Sequence, residues 1–334
     1  MRSRAHGGCG DDSVLAGRMT DGDLLGPAFE NVPVPDPWDR DVWRGFQRAL
    51  AELRGGGEED VHPVVAGQAI ERPFLDALTV WDPLRPGRRL AGVGGATVAD
   101  VEAAFRAAEA FTSTATPTLD ERMDQLRRME ALLVHASDRL AAMLVVETGK
   151  SWLEAAGEVA EAIDFVRYHA HRIVALMDRD RTALTSIPDE ASWFRSLPLG
   201  IGVALLPWPF PLAQAMAMTS AAVATGNALL VKPSERSPRL AHWVVRAWLD
   251  AGVDPRSLAL LPGTGPDVGR RLVRDPRIAF VAATGSAETG RAVYASASAA
   301  VPHRVAYVQP ILELSGSNAI IVDETADVNA AAAA

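Results

Sequence analysis

The chain has 334 residues, 48% hydrophobic and 22% charged, with a formal net charge of −9. That is enough for about two domains around a sizeable core, which excludes a mainly disordered protein. A single cysteine, Cys9, excludes a disulfide scaffold, and the acidic balance argues against nucleic acid or acidic lipid as a partner.

Residues 1–30 are rich in Gly and Asp and read as a flexible terminus, in which Met19 is an alternative start. Residues 31–60 read as a helical arm: 38–54 have helical spacing with Trp43, Phe46, Leu50 and Leu53 on one side, and Gly55 to Asp60 ends it. Strand-like runs follow at 61–66 and 76–82, and helices dominate from Val98 to Met177. Thr118-x-x-Glu121 and Ser151-x-x-Glu154 are capping boxes. The second opens a one-faced helix with Trp152, Ala156, Val159, Ile163, Val166, Ala170 and Ile173 on a single stripe. Residues 178–197 are mixed and polar, and suit a crossover or an exposed oligomerisation strand.

The texture then changes to regular βα alternation. Strands are expected at 202–206, 228–232, 258–261, 278–282 and 311–314, with helices at 212–225, 238–250, 266–274 and 287–299. Ser237-Pro238 reads as a capping hydroxyl followed by proline at the first helical position. The spacing predicts an α/β fold with a doubly wound parallel sheet. The apolar run from Ile201 to Val231 is long enough to span a membrane, but Pro207, Pro209, Pro211, Gln214 and Asn227 interrupt it. It is better explained as strand, loop, buried helix and strand. The N-terminus also lacks a basic patch followed by an apolar core, so neither a span nor a signal peptide is expected.

Five segments can carry chemistry. Leu261-Pro-Gly-Thr-Gly-Pro-Asp-Val-Gly269 places Gly263, Gly265 and Gly269 between a strand and a helix, where backbone can approach a phosphate, although a tight turn alone needs the same residues. Ala283-Thr-Gly-Ser-Ala-Glu-Thr-Gly290 has the same setting. There Ser286 caps a helix whose amides face a pyrophosphate or water. Val231-Lys-Pro-Ser-Glu235 lies at a strand's carboxyl end, the ligand side of an open α/β sheet, and offers either a grip on a ribose diol or a solvated ion pair. Of the 33 Lys and Arg residues only Lys150 and Lys232 are lysines, which singles this segment out. Leu205-Leu-Pro-Trp-Pro-Phe-Pro-Leu212 makes a rigid loop. In Leu312-Glu-Leu-Ser-Gly-Ser-Asn318, Glu313 sits in an apolar strand, where burial would raise its pKa toward that of a general base or leave it a structural residue.

In order and spacing these segments resemble the aldehyde dehydrogenase superfamily from about residue 61 to the end. The family's series is PWNFP, KPSE, GxGxxxG, FTGSxxxG and ELGGK. The resemblance is nearest to the glutamate-γ-semialdehyde (1-pyrroline-5-carboxylate) dehydrogenases of proline breakdown. Glu147-Thr-Gly-Lys150, Glu161-Ala-Ile-Asp-Phe165, Met218-Thr-Ser-Ala-Ala222 and Asn318-Ala-Ile-Ile-Val-Asp-Glu324 carry that likeness, together with the leading arm around Trp38. The resemblance implies a cytoplasmic, homo-oligomeric enzyme that uses NAD to oxidise a small aldehyde through a cysteine thioester. It implies that residues 61–323 are the NAD-binding domain. Lys232 and Glu235 match the positions that hold the adenosine ribose. Gly265, Gly285, Ser286 and Gly290 match the phosphate-side loops, Trp208 a residue beside the cofactor, and Glu313 the general base.

The departures are as specific. The family's catalytic cysteine lies downstream of the ELGGK segment, and this chain ends first. Residues 324–334 are thus expected to be the start of the catalytic-domain side, and the chain to be inactive by itself. Cys9 is far from every motif and receives no catalytic role. The oxyanion-donating Asn of PWNFP is Pro209, which has neither a side-chain amide nor a backbone N–H. Loss of one such donor typically costs about 10²–10³ in rate. ELGGK reads Glu313-Leu-Ser-Gly-Ser317, and FTGS has Ala283 for Phe. The alternative is an NAD-binding or partner-binding module without chemistry. The exposed apolar stretches 311–314 and 319–322, both read as strands, predict poor solubility or association, and 324–334 is expected to fray.

Overall fold

The computed structural model describes residues 29–36, 39–56, 59–114, 116–180, 194–299 and 307–333. Cys9, Trp38 and the expected flexible terminus up to residue 28 lie outside them, as do 181–193, most of the expected oligomerisation strand. Residues 178–180 of the expected strand instead end a helix.

Helix α1 (Arg40–Gly55) begins at Asp39, whose carboxylate accepts from the amides of Asp41 and Val42. Its predicted apolar face is only partly covered: Phe46 is buried, while Trp43 is exposed and packs edge-on at 5.2 Å against Trp152. The expected 61–66 strand shortens to β1 (Val64–Val65), paired with β2 (Gln68–Ala69) through a turn at Ala66 and Gly67. The 76–82 run splits into a 3₁₀ turn and β3 (Val80–Trp81), which pairs with β4 (Arg89–Ala91) in a separate ribbon.

Four helices follow: α2 (Val98–Thr112), α3 (Leu119–His135), α4 (Ser137–Thr148) and α5 (Trp152–Asp180). Both predicted capping boxes form. The Thr118 hydroxyl accepts from the Glu121 amide, and Glu121 accepts in return from the Thr118 amide at 2.7 Å. Ser151 and Glu154 repeat the exchange. On the α5 stripe, Ala156, Val159, Ile163, Val166 and Ile173 are buried, because α5 lies against α3, α4 and the next helix.

The βα alternation then unfolds as read: β5 (Ile201–Leu205), α6 (Pro211–Thr225), β6 (Ala228–Lys232), α7 (Pro238–Asp250), β7 (Leu258–Leu260), a turn at Gly265–Gly269 running into α8 (Arg270–Arg274), β8 (Ile278–Gly285), α9 (Ala287–Ser298) and β9 (Gln309–Leu314). The sheet order is β2-β1-β7-β6-β5-β8-β9, with β7, β6, β5, β8 and β9 all parallel and the β1–β2 hairpin antiparallel at one edge. Alternation along the strands divides the core. Leu229, Val231, Leu258 and Leu260 face the layer of α6 and α7, beyond which lie α3, α4 and α5. Ile201, Val203, Leu230 and Ala259 face the opposite layer with α2 and α8. Helix α6, apolar on nearly every side in sequence, has ten of its fifteen residues buried. Its Leu212 and Met216 are fully enclosed, worth about 1.5–3 kcal/mol each relative to exposure. Gly226 ends α6 with φ of 73°, a left-handed cap that a side chain would strain.

The C-terminal expectations need correction. Residues 319–322 are not a strand: they run as irregular, exposed chain, with Ile321 92% exposed. Among the described residues nothing pairs there, so apolar content alone did not make a strand. A short helix, α10 (Val328–Ala333), starts at Asp327, whose carboxylate accepts from the amides of Asn329 and Ala330.

Candidate functional site

The carboxyl ends of β5, β6 and β8 meet in register, Leu205 beside both Lys232 and Ala283. In a parallel sheet the chain leaves each of these ends through a loop that re-enters a helix, and the helix amino termini point back at the same spot. Here the loops enclose a cavity of about 480 Å³. Leu205, Lys232, Glu235, Gly265, Arg270 and Gly285 are on its wall.

Lys232 is the last residue of β6. Its side chain is 8% exposed and its ammonium donates to Glu235 Oε1 at 2.9 Å and to the Pro233 carbonyl at 2.9 Å. Burial pulls the Lys232 pKa below the ordinary lysine value, against the support of the Glu235 charge. For Glu235, burial pushes upward, but Lys232 and the Gly265 amide outweigh it and hold the carboxylate below its usual pKa. The Gly265 N–H reaches the same Oε1 at 2.8 Å. One oxygen thus ties the 232–235 segment to the glycine turn after β7. That turn opens with an i→i+5 hydrogen bond from the Gly269 amide to the Thr264 carbonyl, at 3.2 Å. A Cβ on Gly265 would meet nothing within 4 Å, so this backbone is open to the cavity, whereas Gly269 lies against the Lys232 side chain.

Across the cavity, Ser286 caps α9: its hydroxyl accepts from the Thr289 amide at 3.1 Å. Gly285 lies on the wall, whereas Ser286 and Gly290 do not line it. Gly290 serves packing, since a Cβ there would stand 2.3 Å from the Leu314 side chain.

Trp208 and Glu313 do not line the cavity. Trp208 is half-buried in the loop after β5, with the Arg236 guanidinium 5.4 Å from its ring centroid. Glu313 pairs in register with Thr284, a cavity residue, but its side chain is exposed. The burial expected from its apolar neighbours is absent because β9 is the edge strand.

Sequence reading missed two groups. Arg270, Glu288 and Thr289 join the cavity wall through helical spacing that only the fold reveals. The other group caps the helices. Ser237 does not cap α7: its hydroxyl is buried with no hydrogen-bond partner. Glu147 does so from α4, accepting from the Arg239 amide at 3.0 Å and the Leu240 amide at 3.3 Å. Likewise Glu158 from α5 caps α6, one oxygen accepting from Leu212 at 2.8 Å and Ala213 at 3.2 Å. Its other oxygen pairs with Lys150, whose ammonium lies 3.8 Å from the Phe210 ring centroid. The signal was present at Phe210, which precedes Pro211 and has no group able to cap.

A parallel sheet with a buried lysine paired to a half-buried carboxylate and two glycine-bearing turns around one cavity has the layout of nucleotide-binding α/β proteins. The sequence pattern of the aldehyde dehydrogenase family matches residues 74–334, and the chain belongs to that family. It is 35% identical over 290 residues to a 1-pyrroline-5-carboxylate dehydrogenase of Geobacillus thermodenitrificans, covering 86% of this chain and 56% of the relative. To the Geobacillus kaustophilus protein of the same name it is 36% identical, covering 86% and 55%. Among solved structures, the 1-pyrroline-5-carboxylate dehydrogenase from Thermus with bound NAD superposes with a TM-score of 0.82 at 31% identity, covering 92% of this chain and 59% of that one. The Mycobacterium tuberculosis Δ-pyrroline-5-carboxylate dehydrogenase bound with NAD gives 0.76 at 26% identity, covering 89% and 55%. The chain thus spans between half and three fifths of the length of these relatives. Among the described residues no helix is long and apolar enough to cross a membrane.

Proposed function

We propose that this chain forms the NAD-binding part of a cytoplasmic, homo-oligomeric enzyme that oxidises glutamate γ-semialdehyde, the open form of 1-pyrroline-5-carboxylate, to glutamate. The observation that carries this reading is the buried Lys232 paired with half-buried Glu235 beside the open Gly265 backbone, in a chain whose relatives are named 1-pyrroline-5-carboxylate dehydrogenase. When bound, NAD supplies the hydride acceptor. The Lys232 ammonium and Glu235 carboxylate would hold the adenosine ribose hydroxyls, one as donor and one as acceptor. Gly265 and Gly285 would leave room for the phosphates, and the α9 amino terminus at Ser286 would stabilise their charge. By the family resemblance Trp208 would lie on the loop beside the cofactor and Glu313 would serve as the general base for water, although neither lines the cavity.

These residues bind and orient but do not make a thioester. The sole cysteine is Cys9, and Pro209 stands where an oxyanion donor is needed. A binding module without chemistry is therefore the second reading for the chain by itself. Calorimetric titration with NAD, followed by an assay of NADH formation with the semialdehyde, separates the readings. NAD binding without turnover is expected. Absence of binding removes both readings, and turnover by pure chain overturns the assignment of Cys9 and Pro209.

A further inference from the structure

Two helices of the cofactor layer start in the same unusual way. Helices α6 and α7 each open with proline at the first position, Pro211 and Pro238, and neither is capped by the residue before it. The amides at the second and third positions are the ones a capping side chain normally satisfies. In α6 these belong to Leu212 and Ala213 and both bind Glu158; in α7 they belong to Arg239 and Leu240 and both bind Glu147. Both carboxylates come from the outer helices α4 and α5, and both are buried. Enclosing a carboxylate costs free energy unless it is paired, yet α6 has no capping group at Phe210 and α7 bypasses the Ser237 that stands at its capping position.

The loops that these helices close have the same length. Five residues, 206–210, join β5 to α6, and five, 233–237, join β6 to α7. The strand end fixes one side of each loop and the helix start fixes the other. The first loop carries Trp208 and the second Glu235, with Lys232 at its root. Lys150 adds a second hold on the first loop, pairing with Glu158 while lying over the Phe210 ring. A remote carboxylate grips the far end of each loop, so its placement depends on the packing of α4 and α5 rather than on the loop sequence.

We infer that Glu147 and Glu158 are positioning residues of the cofactor site, each holding one loop of that site in register with its strand by clamping the helix start behind it. The inference rests on the NAD reading above for its functional meaning. Its structural content is independent of that reading.

The test uses the full chain and NAD as probe. Glu147→Ala and Glu158→Ala are expected to weaken NAD binding roughly tenfold, the scale of one hydrogen bond to a charged group. Glu147→Gln and Glu158→Gln keep an acceptor oxygen at the amides and are expected to recover part of the affinity. They also carry the test if the alanine variants do not fold. Glu121→Ala removes the reciprocal half of the α3 capping box, the carboxylate that accepts from the Thr118 amide, far from both loops, and is expected to lower Tm while leaving NAD affinity unchanged. Hydrogen exchange provides a readout without cofactor: amides in 233–237 should exchange faster in Glu147→Ala and those in 206–210 faster in Glu158→Ala, with neither loop changed in Glu121→Ala. Parent-like affinity in the alanine or glutamine variants overturns the inference, as does equal loss in Glu121→Ala. If the parent itself fails to bind NAD, the cofactor reading is wrong, and loop-specific exchange alone decides the clamp. Uniform or unchanged exchange refutes it.

Discussion

Lys232 and Glu235, three residues apart, meet at 2.9 Å across the carboxyl end of β6, and the carboxylate oxygen that holds the ammonium also holds the Gly265 amide. The pair therefore joins a strand end to the glycine turn of the neighbouring βα unit. It also keeps a buried cation beside the cavity.

Replacing Lys232 tests this pair. Lys232→Met keeps the buried stem and removes the charge, and is expected to weaken NAD binding by about 1.5–3 kcal/mol, the worth of a hydrogen bond from a charged group. Lys232→Arg is expected to fare little better. Its planar fork does not fit a site shaped for a compact ammonium packed against Gly269. Calorimetry with parent-like affinity in Lys232→Met would remove this residue from the site.

Glu147 sets a pH dependence of stability. Burial, opposed by the charge of Arg239 and the two amides it caps and aided by the charge of Glu59, raises its pKa to about 7 from the usual 4.5. Between those values the folded chain keeps a proton that the unfolded chain has released. Stability from this group is therefore full below pH 4.5 and falls as pH rises to 7, by about 3 kcal/mol in all. Glu147→Gln has no such proton and should lack this slope. The difference in Tm between variant and parent is expected to move in the variant's favour from pH 5 to pH 8; parallel curves would contradict the raised pKa.

Gly202 in β5 makes room for the Phe280 ring of β8, because a Cβ at Gly202 would lie 2.0 Å from it. Gly202→Ala should cost about 1–3 kcal/mol by overpacking. Phe280→Leu in the same chain should recover part of that loss, since it removes the clashing ring. Denaturant unfolding of both variants and the double variant measures the coupling, and additive effects would mean that the ring simply moves aside.

The segment 320–322 exposes Ile320, Ile321 and Val322, close in sequence to the open edge strand β9 with its exposed Ile311 and Leu314. The chain is expected to self-associate through this apolar stretch. Ile321→Glu should shift size-exclusion elution toward monomer. Amides in the six-residue α10 should exchange within seconds to minutes, since so short a helix is marginal without packing. A parent chain that already elutes as a monomer, with α10 protected, would refute both expectations.

The βα alternation from 201 to 314, the capping boxes and the α5 stripe were legible from residue order because each is a local or periodic property. Proline and Ser/Thr act within one turn, and burial on one face writes itself at a spacing of 3.6 or 2. The Lys232–Glu235 pair was legible for the same reason, since its members are three residues apart. The partners of α6 and α7 were not. Glu158 is 54 residues from Leu212, and Glu147 is 92 from Arg239. No local pattern distinguishes a carboxylate that will cap a distant helix from one that stays in water. Strand order failed in the same way. Glu313 lies in an apolar stretch, but its exposure follows from β9 being last in the sheet, and 319–322 is apolar without finding a strand to pair with. Helix periodicity and turn chemistry are decided by neighbours along the chain. Caps supplied from afar, edge positions and cavity walls are decided by which elements pack together, and that came only with the fold.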